Sequence, residues 1–92
     1  MRRETATGLA QEALVWLSGQ EELMPVFLNA TGSNAESVRA GARDPEFLGS
    51  VLDFVMMDDA WVVAFCDAAS HPYATVGAAR RALPGGDEVH WT

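Results

Sequence analysis

The sequence predicts an all-α protein, a compact bundle of five to six short helices joined by tight turns. Apolar residues recur three or four positions apart along most of the chain, which is the spacing of one helix face. Glycines, prolines and capping residues divide this pattern into short segments. The length of 92 residues, 49% of them apolar, fits a single domain. We therefore predict one helical domain over residues 1–84 and a C-terminal tail over residues 85–92.

Leucine spacing and the residues that end helices predict the first two elements. One helix runs from Thr7 to Ser18 after a polar start, and a glycine follows it. The second begins near Glu21 or Glu22, because Pro25 is tolerated only in the first turn of a helix. It ends at Gly32.

Capping residues define the third and fourth helices. Ser33 and Glu36 have the S-x-x-E spacing of a capping box, in which each side chain satisfies a free backbone amide of the other residue. A short helix should follow and end near Arg43. Asp44 is a good N-cap, and Pro45 occupies the first helical position, where its missing amide costs no hydrogen bond. The fourth helix is the clearest element, since its apolar residues form one broad face.

The fifth segment, Ala60–Cys66, reads AWVVAFC and is compatible with a strand on local propensity alone. Its apolar pairs, however, continue at i, i+4 spacing beyond Asp67, and no other segment offers a pairing strand. We predict a buried central helix that is capped by Asp58 and ends before His71.

The sixth helix is predicted to open at Pro72 and to stop at Pro84. Because His71 precedes a proline, we expect it to be extended and outside the helix, in a position to cap it. The residues expected on the buried side of this helix are Tyr73, Val76, Ala79, Ala82 and Leu83.

A net charge of −7, from 13 acidic and 6 basic residues, narrows the range of partners. An acidic domain repels phosphate backbones, so we expect neither nonspecific nucleic-acid binding nor binding to anionic membranes. No stretch approaches the roughly 18 apolar residues of a membrane span, and no apolar core follows the N-terminal arginines as in a secretory signal. Cys66 is the only cysteine and cannot form an intramolecular disulfide. These features predict a cytoplasmic protein.

The charges also follow the polarity of the predicted helices. Acidic residues stand before or within first turns, and arginines stand in last turns, where each opposes the helix dipole and contributes about 0.3–1 kcal/mol. This placement accounts for most of the charge clustering without a functional site. The residues concerned are Asp44, Glu46, Asp58, Asp59, Arg39, Arg43, Arg80 and Arg81.

Potential metal ligands surround the fifth helix, but their spacing does not favour a site. Cys66 and His71 are five positions apart, which on a helix separates them by about 140°. Asp67 and His71 could meet, but two ligands are fewer than a zinc site needs. An apolar setting would raise the pKa of the Cys66 thiol and disfavour a nucleophile. We therefore expect no catalytic, metal-binding or cofactor-binding residues, and the motifs of hydrolases, phosphate loops and zinc proteases are absent from the sequence.

The second helix, its glycine turn and the third helix resemble the spacing of a DNA-binding helix-turn-helix. Leu28, Gly32 and Val38 occupy the matching positions. Any helical hairpin with a glycine turn shows the same pattern, and Glu36 would lie among the base-reading residues. DNA binding is therefore the second hypothesis, and a metal- or thiol-dependent enzyme the third. The residues that would face DNA are Ser33, Asn34, Ser37 and Arg39.

Large apolar residues outside the predicted core favour a different function. Met and Trp are enriched at protein interfaces, and a small bundle has limited capacity to bury them. The first hypothesis is therefore a structural or protein–protein interaction module, with self-association into a homodimer included. Packing of Trp91 back onto the bundle, or a disordered end, is the competing explanation for the tail. The candidate interface residues are Trp16, Met24, Met57, Val89 and Trp91.

Four stretches, FLNATG, DPEFLGSVLDFVMMDD, AFC and ALPGGD, occur in an order that resembles a family of short alphaproteobacterial proteins. That family is known only as a domain of unknown function, and the resemblance extends from Leu9 to Asp87. It implies a helical, cytoplasmic, bacterial protein. It implies no activity.

Overall fold

Six helices account for most of the part of the chain that the computed structural model describes, residues 1–84, and no strand occurs in that part. The all-α prediction is confirmed. Turns of three or four residues connect the helices. The predicted tail, with Val89 and Trp91, lies outside the described residues. The helices are α1 (Arg3–Ser18), α2 (Leu23–Thr31), α3 (Ala35–Gly41), α4 (Pro45–Val55), α5 (Asp59–Ala69) and α6 (Ala74–Ala82).

Aspartate caps begin α4 and α5 as the sequence predicts. The Asp44 carboxylate accepts a hydrogen bond from the backbone amide of Glu46 at 3.0 Å. The Asp58 carboxylate accepts one from the amide of Ala60 at 2.8 Å. Each cap satisfies an amide that has no partner within the helix, which fixes where the helix starts.

The capping box of α3 is displaced by one residue from its predicted place. Asn34 and Ser37 form it, since the Asn34 side chain accepts from the Ser37 amide at 2.9 Å and Ser37 Oγ accepts from the Asn34 amide at 2.8 Å. The predicted cap, Ser33, instead belongs to the end of α2, where its amide donates to the Leu28 carbonyl. The left-handed conformation of Gly32 directs the chain into this closure.

Other helix limits also differ from the predictions. The first helix begins at Arg3 rather than Thr7, which places Ala6 in the core. The third ends at Gly41 rather than near Arg43, and the sixth begins at Ala74 rather than Pro72. Consequently Tyr73 stands at the N-cap position of α6 without a side-chain capping hydrogen bond and is 53% exposed, so its predicted place on the buried side is wrong.

The core lies where α1, α4 and α6 pack against one another. Leu17, Leu52 and Val76 represent the three helices there, and all three are essentially buried. Phe27 of α2 packs edge-on against Phe54 of α4, with ring centroids 5.3 Å apart. No polar side chain is buried within residues 1–84, so apolar packing stabilises this core.

The prediction of α5 as a buried central helix is wrong. Only Phe65 and Cys66 are buried in it, and Val63 is 39% exposed. The apolar residues of α5 lie all around its circumference, so no orientation could bury them while α1, α4 and α6 occupy the centre. Among residues 1–84, no helix combines the length and the apolar character needed to cross a membrane.

Candidate functional site

The packing of α5 against α1 leaves an open groove of about 520 Å³, which we call the α1/α5 groove. Its lining is mainly apolar. One glutamine at its side, Gln11, donates its amide to the carbonyl of Ala42 at 2.8 Å and ties α1 to the end of α3. The residues that shape the groove are Gly8, Glu12, Val15 and Trp16 of α1, and Phe65 and Ala68 of α5.

Two aromatic rings form the floor of the groove. The centroids of Trp16 and Phe65 are 5.8 Å apart, and their planes are tilted by 59°. Phe65 is fully buried, whereas Trp16 is half-buried and packs against the core. Such aromatic pairs contribute roughly 0.5–1.5 kcal/mol beyond the area they bury. The floor is therefore fixed by packing, and Trp16, predicted from sequence as an interface residue, contributes to it.

A contact between distant parts of the sequence closes one end of the groove. His71, in the turn between α5 and α6, donates from Nε2 to Glu12 Oε1 of α1 at 2.7 Å. The imidazole also lies against Phe65, with ring centroids 6.1 Å apart. His71 therefore attaches the end of α5 to α1. It lies outside both α5 and α6 as expected, but Tyr73 rather than His71 holds the N-cap position of α6.

The rim of the groove is apolar and open to solvent. Val15 is 72% exposed, and Ala68 on the opposite helix is also exposed. Ala64 is also exposed, one turn before Ala68 on the same side of α5, whereas Val63 lies on the opposite side of that helix. Val15, Ala64 and Ala68 thus give the groove an exposed apolar rim, of a kind that marks interaction sites in soluble proteins.

A glycine in the wall of the groove has no packing role within residues 1–84. A Cβ atom built on Gly8 would meet nothing within 4 Å. Gly41 is the opposite case, because a Cβ there would lie 2.6 Å from the ring of Phe47. The fold requires glycine at Gly41, whereas at Gly8 the absent side chain leaves free space in the groove.

The potential metal ligands around α5 have separate partners. Cys66 is buried, and its Sγ donates to the carbonyl of Pro72 at 3.7 Å. Burial, followed by the charge of Asp67, raises the pKa of this thiol. Asp67 accepts a hydrogen bond from the Tyr73 hydroxyl at 2.8 Å, which raises the pKa of Tyr73. Within residues 1–84 no group of three or more His, Cys, Asp or Glu side chains is arranged to hold a metal ion.

A second, more polar groove of about 370 Å³ lies between α5 and α6. Asp59 and Arg81 contribute charges to it, and Met56 and Tyr73 contribute partly exposed apolar surface. Its mixed lining offers less continuous apolar surface than the α1/α5 groove.

Met24 and Met57, the two other interface candidates within residues 1–84, do not line the α1/α5 groove. Met24 packs partly buried against the core, and Met57 is 73% exposed in the turn before α5. Sequence reasoning missed Val15, although a valine opposite the leucine face of α1 is itself a signal of exposed apolar surface. It also missed the contact of Glu12 with His71, which no local spacing predicts.

The residues of the helix-turn-helix hypothesis lie on α2, its glycine turn and α3. The third helix has only seven residues. Asn34 and Ser37, which were expected to face DNA, bond to each other in the capping box. Glu36 adds a carboxylate to the same first turn.

The comparisons with known proteins gave one match. A family model described as "Protein of unknown function (DUF3572)" matches residues 3–86, a range that includes all six helices. No curated protein and no solved structure matches the chain.

Proposed function

The chain belongs to the DUF3572 family of proteins of unknown function, and we propose that it is a protein-interaction module that binds a segment of a different protein in the α1/α5 groove. The proposed role requires neither catalysis nor a cofactor. One observation carries it: a packed aromatic floor lies beneath an apolar rim on which Val15 is 72% exposed.

Energetics favour a partner at this rim. Burial of apolar surface contributes about 25 cal/mol per Å², so an exposed valine and its alanine neighbours are a source of binding free energy. A single exposed apolar residue is common on soluble proteins, whereas a contiguous strip beside a groove is informative. Val15 on α1 and Ala64 and Ala68 on α5 supply exposed apolar surface beside the groove.

The chemistry of the groove supports binding rather than reaction. None of its lining residues carries a hydroxyl, thiol or amine nucleophile. Glu12 is the one ionisable side chain among the lining residues, and its carboxylate accepts a hydrogen bond from His71. The one thiol in the sequence, Cys66, is buried in α5 with a raised pKa, which opposes formation of the thiolate.

DNA binding by α2 and α3 has less support. A recognition helix reads bases with side chains near its N-terminus. In α3 those side chains include Asn34 and Ser37, which are committed to the cap, and the carboxylate of Glu36, which repels phosphate.

A site-specific photocrosslink tests the proposed function. Benzoylphenylalanine is placed at Val15 in one variant and at Val26 in the other. Val26 is a matched control because it is also an exposed helical valine, 49% exposed, and lies on α2 away from the groove. The intact chain carrying each probe is irradiated in a native lysate of its source cells, with and without nuclease.

We expect a discrete protein adduct from position 15 that is absent from position 26 and unaffected by nuclease. Identical adducts from both positions, or none from position 15, would contradict binding at the groove. An adduct that disappears with nuclease would favour the nucleic-acid hypothesis instead.

A further inference from the structure

Building on the proposed function, we propose that the segment bound in the α1/α5 groove is an amphipathic helix whose apolar stripe is flanked by lysine or arginine. The dimensions of the groove, its small wall residues and the charge of its two helices support this partner.

The length of the groove matches a short helical contact. Its α1 wall extends from Gly8 to Trp16, which at about 1.5 Å per residue is about 12 Å, or two helical turns. A helix bound over two turns presents apolar side chains at i, i+3 or i+4, and i+7. The aromatic floor of Trp16 and Phe65 offers these side chains an apolar surface.

Small residues on both walls permit close approach of a second backbone. Gly8 lines the groove on α1, and Ala68 lines it on α5. A glycine inside a helix destabilises it by roughly 0.5–1 kcal/mol relative to alanine. Since a Cβ at Gly8 would meet nothing within 4 Å, the chain's own packing does not require this glycine. Space for an approaching helix gives it a role.

The charge of the groove favours a partner segment with positive charge. Glu12 is the one ionisable side chain among the residues that line the groove, and no arginine or lysine lines it. The acidic residues of α5 lie on its other side, where Asp59 borders the groove between α5 and α6 and Asp67 accepts a hydrogen bond from Tyr73. Arg80 is held by Asp53 of α4 at 2.6 Å and is not a counter-charge for this surface. Lysine or arginine on the partner would complement Glu12 and the net charge of −7 of the whole chain.

A second copy of the chain fits this surface less well. Each copy has a net charge of −7, and a symmetric contact would bring two sets of carboxylates together. Charges within the Debye length of about 8 Å at physiological salt are incompletely screened, so they would oppose such a dimer.

Two synthetic peptides of opposite charge test the proposal. Both have about 18 residues, long enough to form a helix, and carry the same leucine and alanine stripe. One has lysine at all flanking positions, and the other has glutamate there. Binding to the intact chain is measured by isothermal titration calorimetry at low and at physiological salt.

A groove-filling variant and a matched control locate the binding. Gly8→Leu adds an apolar side chain to the wall of the groove at a position where a Cβ meets nothing within 4 Å, and leucine is the better helix former. Ala30→Leu adds the same side chain at an exposed position of α2, outside the groove. Because the first variant is expected to fold at least as stably as the natural chain, loss of binding in it cannot be attributed to unfolding.

We expect the lysine peptide to bind about tenfold or more tightly than the glutamate peptide and to weaken as salt increases. Gly8→Leu should reduce its affinity by about tenfold or more, and Ala30→Leu should leave it unchanged. Equal binding of both peptides, lost in Gly8→Leu, would overturn the basic partner but leave the groove as a docking site. Binding of neither peptide would overturn the helical partner, while the crosslink at Val15 tests the proposed function independently.

Two further measurements test whether the groove has a different occupant. If sedimentation velocity shows a dimer that Gly8→Leu dissociates, the occupant is a second copy and the proposal is wrong. If the lysine peptide binds only to a chain that ends at residue 84, the chain's own residues 85–92 occupy the groove, and the proposal is also wrong.

Discussion

The helices α4 and α5 share their length and their start but differ in what they bury. Each has eleven residues and begins at an aspartate whose carboxylate accepts from a backbone amide two residues later. Six residues of α4 are buried, whereas only Phe65 and Cys66 of α5 are. In α4 the apolar residues share one broad face, and in α5 they surround the helix. Apolar content alone therefore does not determine the position of a helix in the fold.

This difference indicates where a partner would act. Apolar residues that the core cannot accommodate remain at the surface of α5 and of the adjacent α1, as Val63 and Val15 do. The α4 side of the molecule is packed so closely that a Cβ at Gly41 would overlap Phe47. The α5 side has an open groove instead. Buried apolar surface is thus concentrated on α4, whereas the exposed apolar surface lies on α5 and α1, where we propose that a partner binds.

The largest expected effect comes from removing the side chain that attaches α5 to the bundle. Phe65→Ala should decrease the free energy of unfolding by about 3–5 kcal/mol, because it deletes a fully buried ring and its contact with Trp16. Chemical denaturation measures the loss. Hydrogen exchange should show that amides of α5 lose more protection than those of α4, since α5 has no other large buried anchor.

The milder Phe65→Leu variant is the control in case Phe65→Ala does not fold. It should give a smaller loss of stability with the same preferential effect on α5. Equal loss of protection in α4 and α5 would show that the two helices unfold as one unit and would remove the basis of the comparison.

The second effect tests the close packing at the start of α4. Gly41→Ala should decrease stability by about 1–3 kcal/mol, because the new Cβ must displace the Phe47 ring, which lies 2.6 Å from its position. Thermal unfolding followed by circular dichroism measures it. Gly41→Ala combined with Phe47→Leu is the control, and it should recover part of the loss. An unchanged melting temperature in the single variant would show that Phe47 moves aside without cost.

Local sequence patterns predicted the helices of this fold because the interactions that begin and end a helix are themselves local. Asp44 and Asp58 cap their helices as expected, since a cap requires only a side chain and an amide two or three residues later. The cap of α3 was assigned to Ser33 instead of Asn34 because both residue types are good caps. The choice depended on the closure of α2, in which the Ser33 amide takes part.

The candidate groove could be predicted only in part, because burial is a property of the whole bundle. Trp16 was identified from its place off the leucine face of α1. The exposure of α5 could not be predicted, because apolar residues surround this helix and the sequence does not indicate which side faces the core. The contact of His71 with Glu12 joins residues separated by 59 positions and follows from tertiary packing alone.

The third effect is the loss of stability when an N-cap is removed. It should be similar in α4 and α5, which would show that the two helices differ in burial and not in how they begin. Asp44→Ala and Asp58→Ala each remove one cap and should each decrease stability by about 1 kcal/mol. Asp→Asn at the same positions retains the acceptor and is the control, with a smaller loss. A clearly larger loss at Asp44, measured by urea denaturation, would show that burial of α4 amplifies its cap and that the two starts are not equivalent.

The smallest effect has the opposite sign to that at Gly41. Gly8→Ala should increase the free energy of unfolding by about 0.5–1 kcal/mol, because alanine is the better helix former and its Cβ meets nothing within 4 Å. Urea denaturation of both glycine variants under the same conditions gives the comparison directly.

If Gly8→Ala stabilises the protein, the natural glycine gives the chain a lower free energy of unfolding than alanine would at the same position. Such a loss is expected where a surface is kept open for binding, since functional sites commonly sacrifice stability. If Gly8→Ala instead destabilises the protein, the glycine serves the fold, and its position in the groove wall no longer indicates a partner. A destabilising change would therefore assign the wall of the α1/α5 groove a structural role, whereas a stabilising change is the result that a binding role requires.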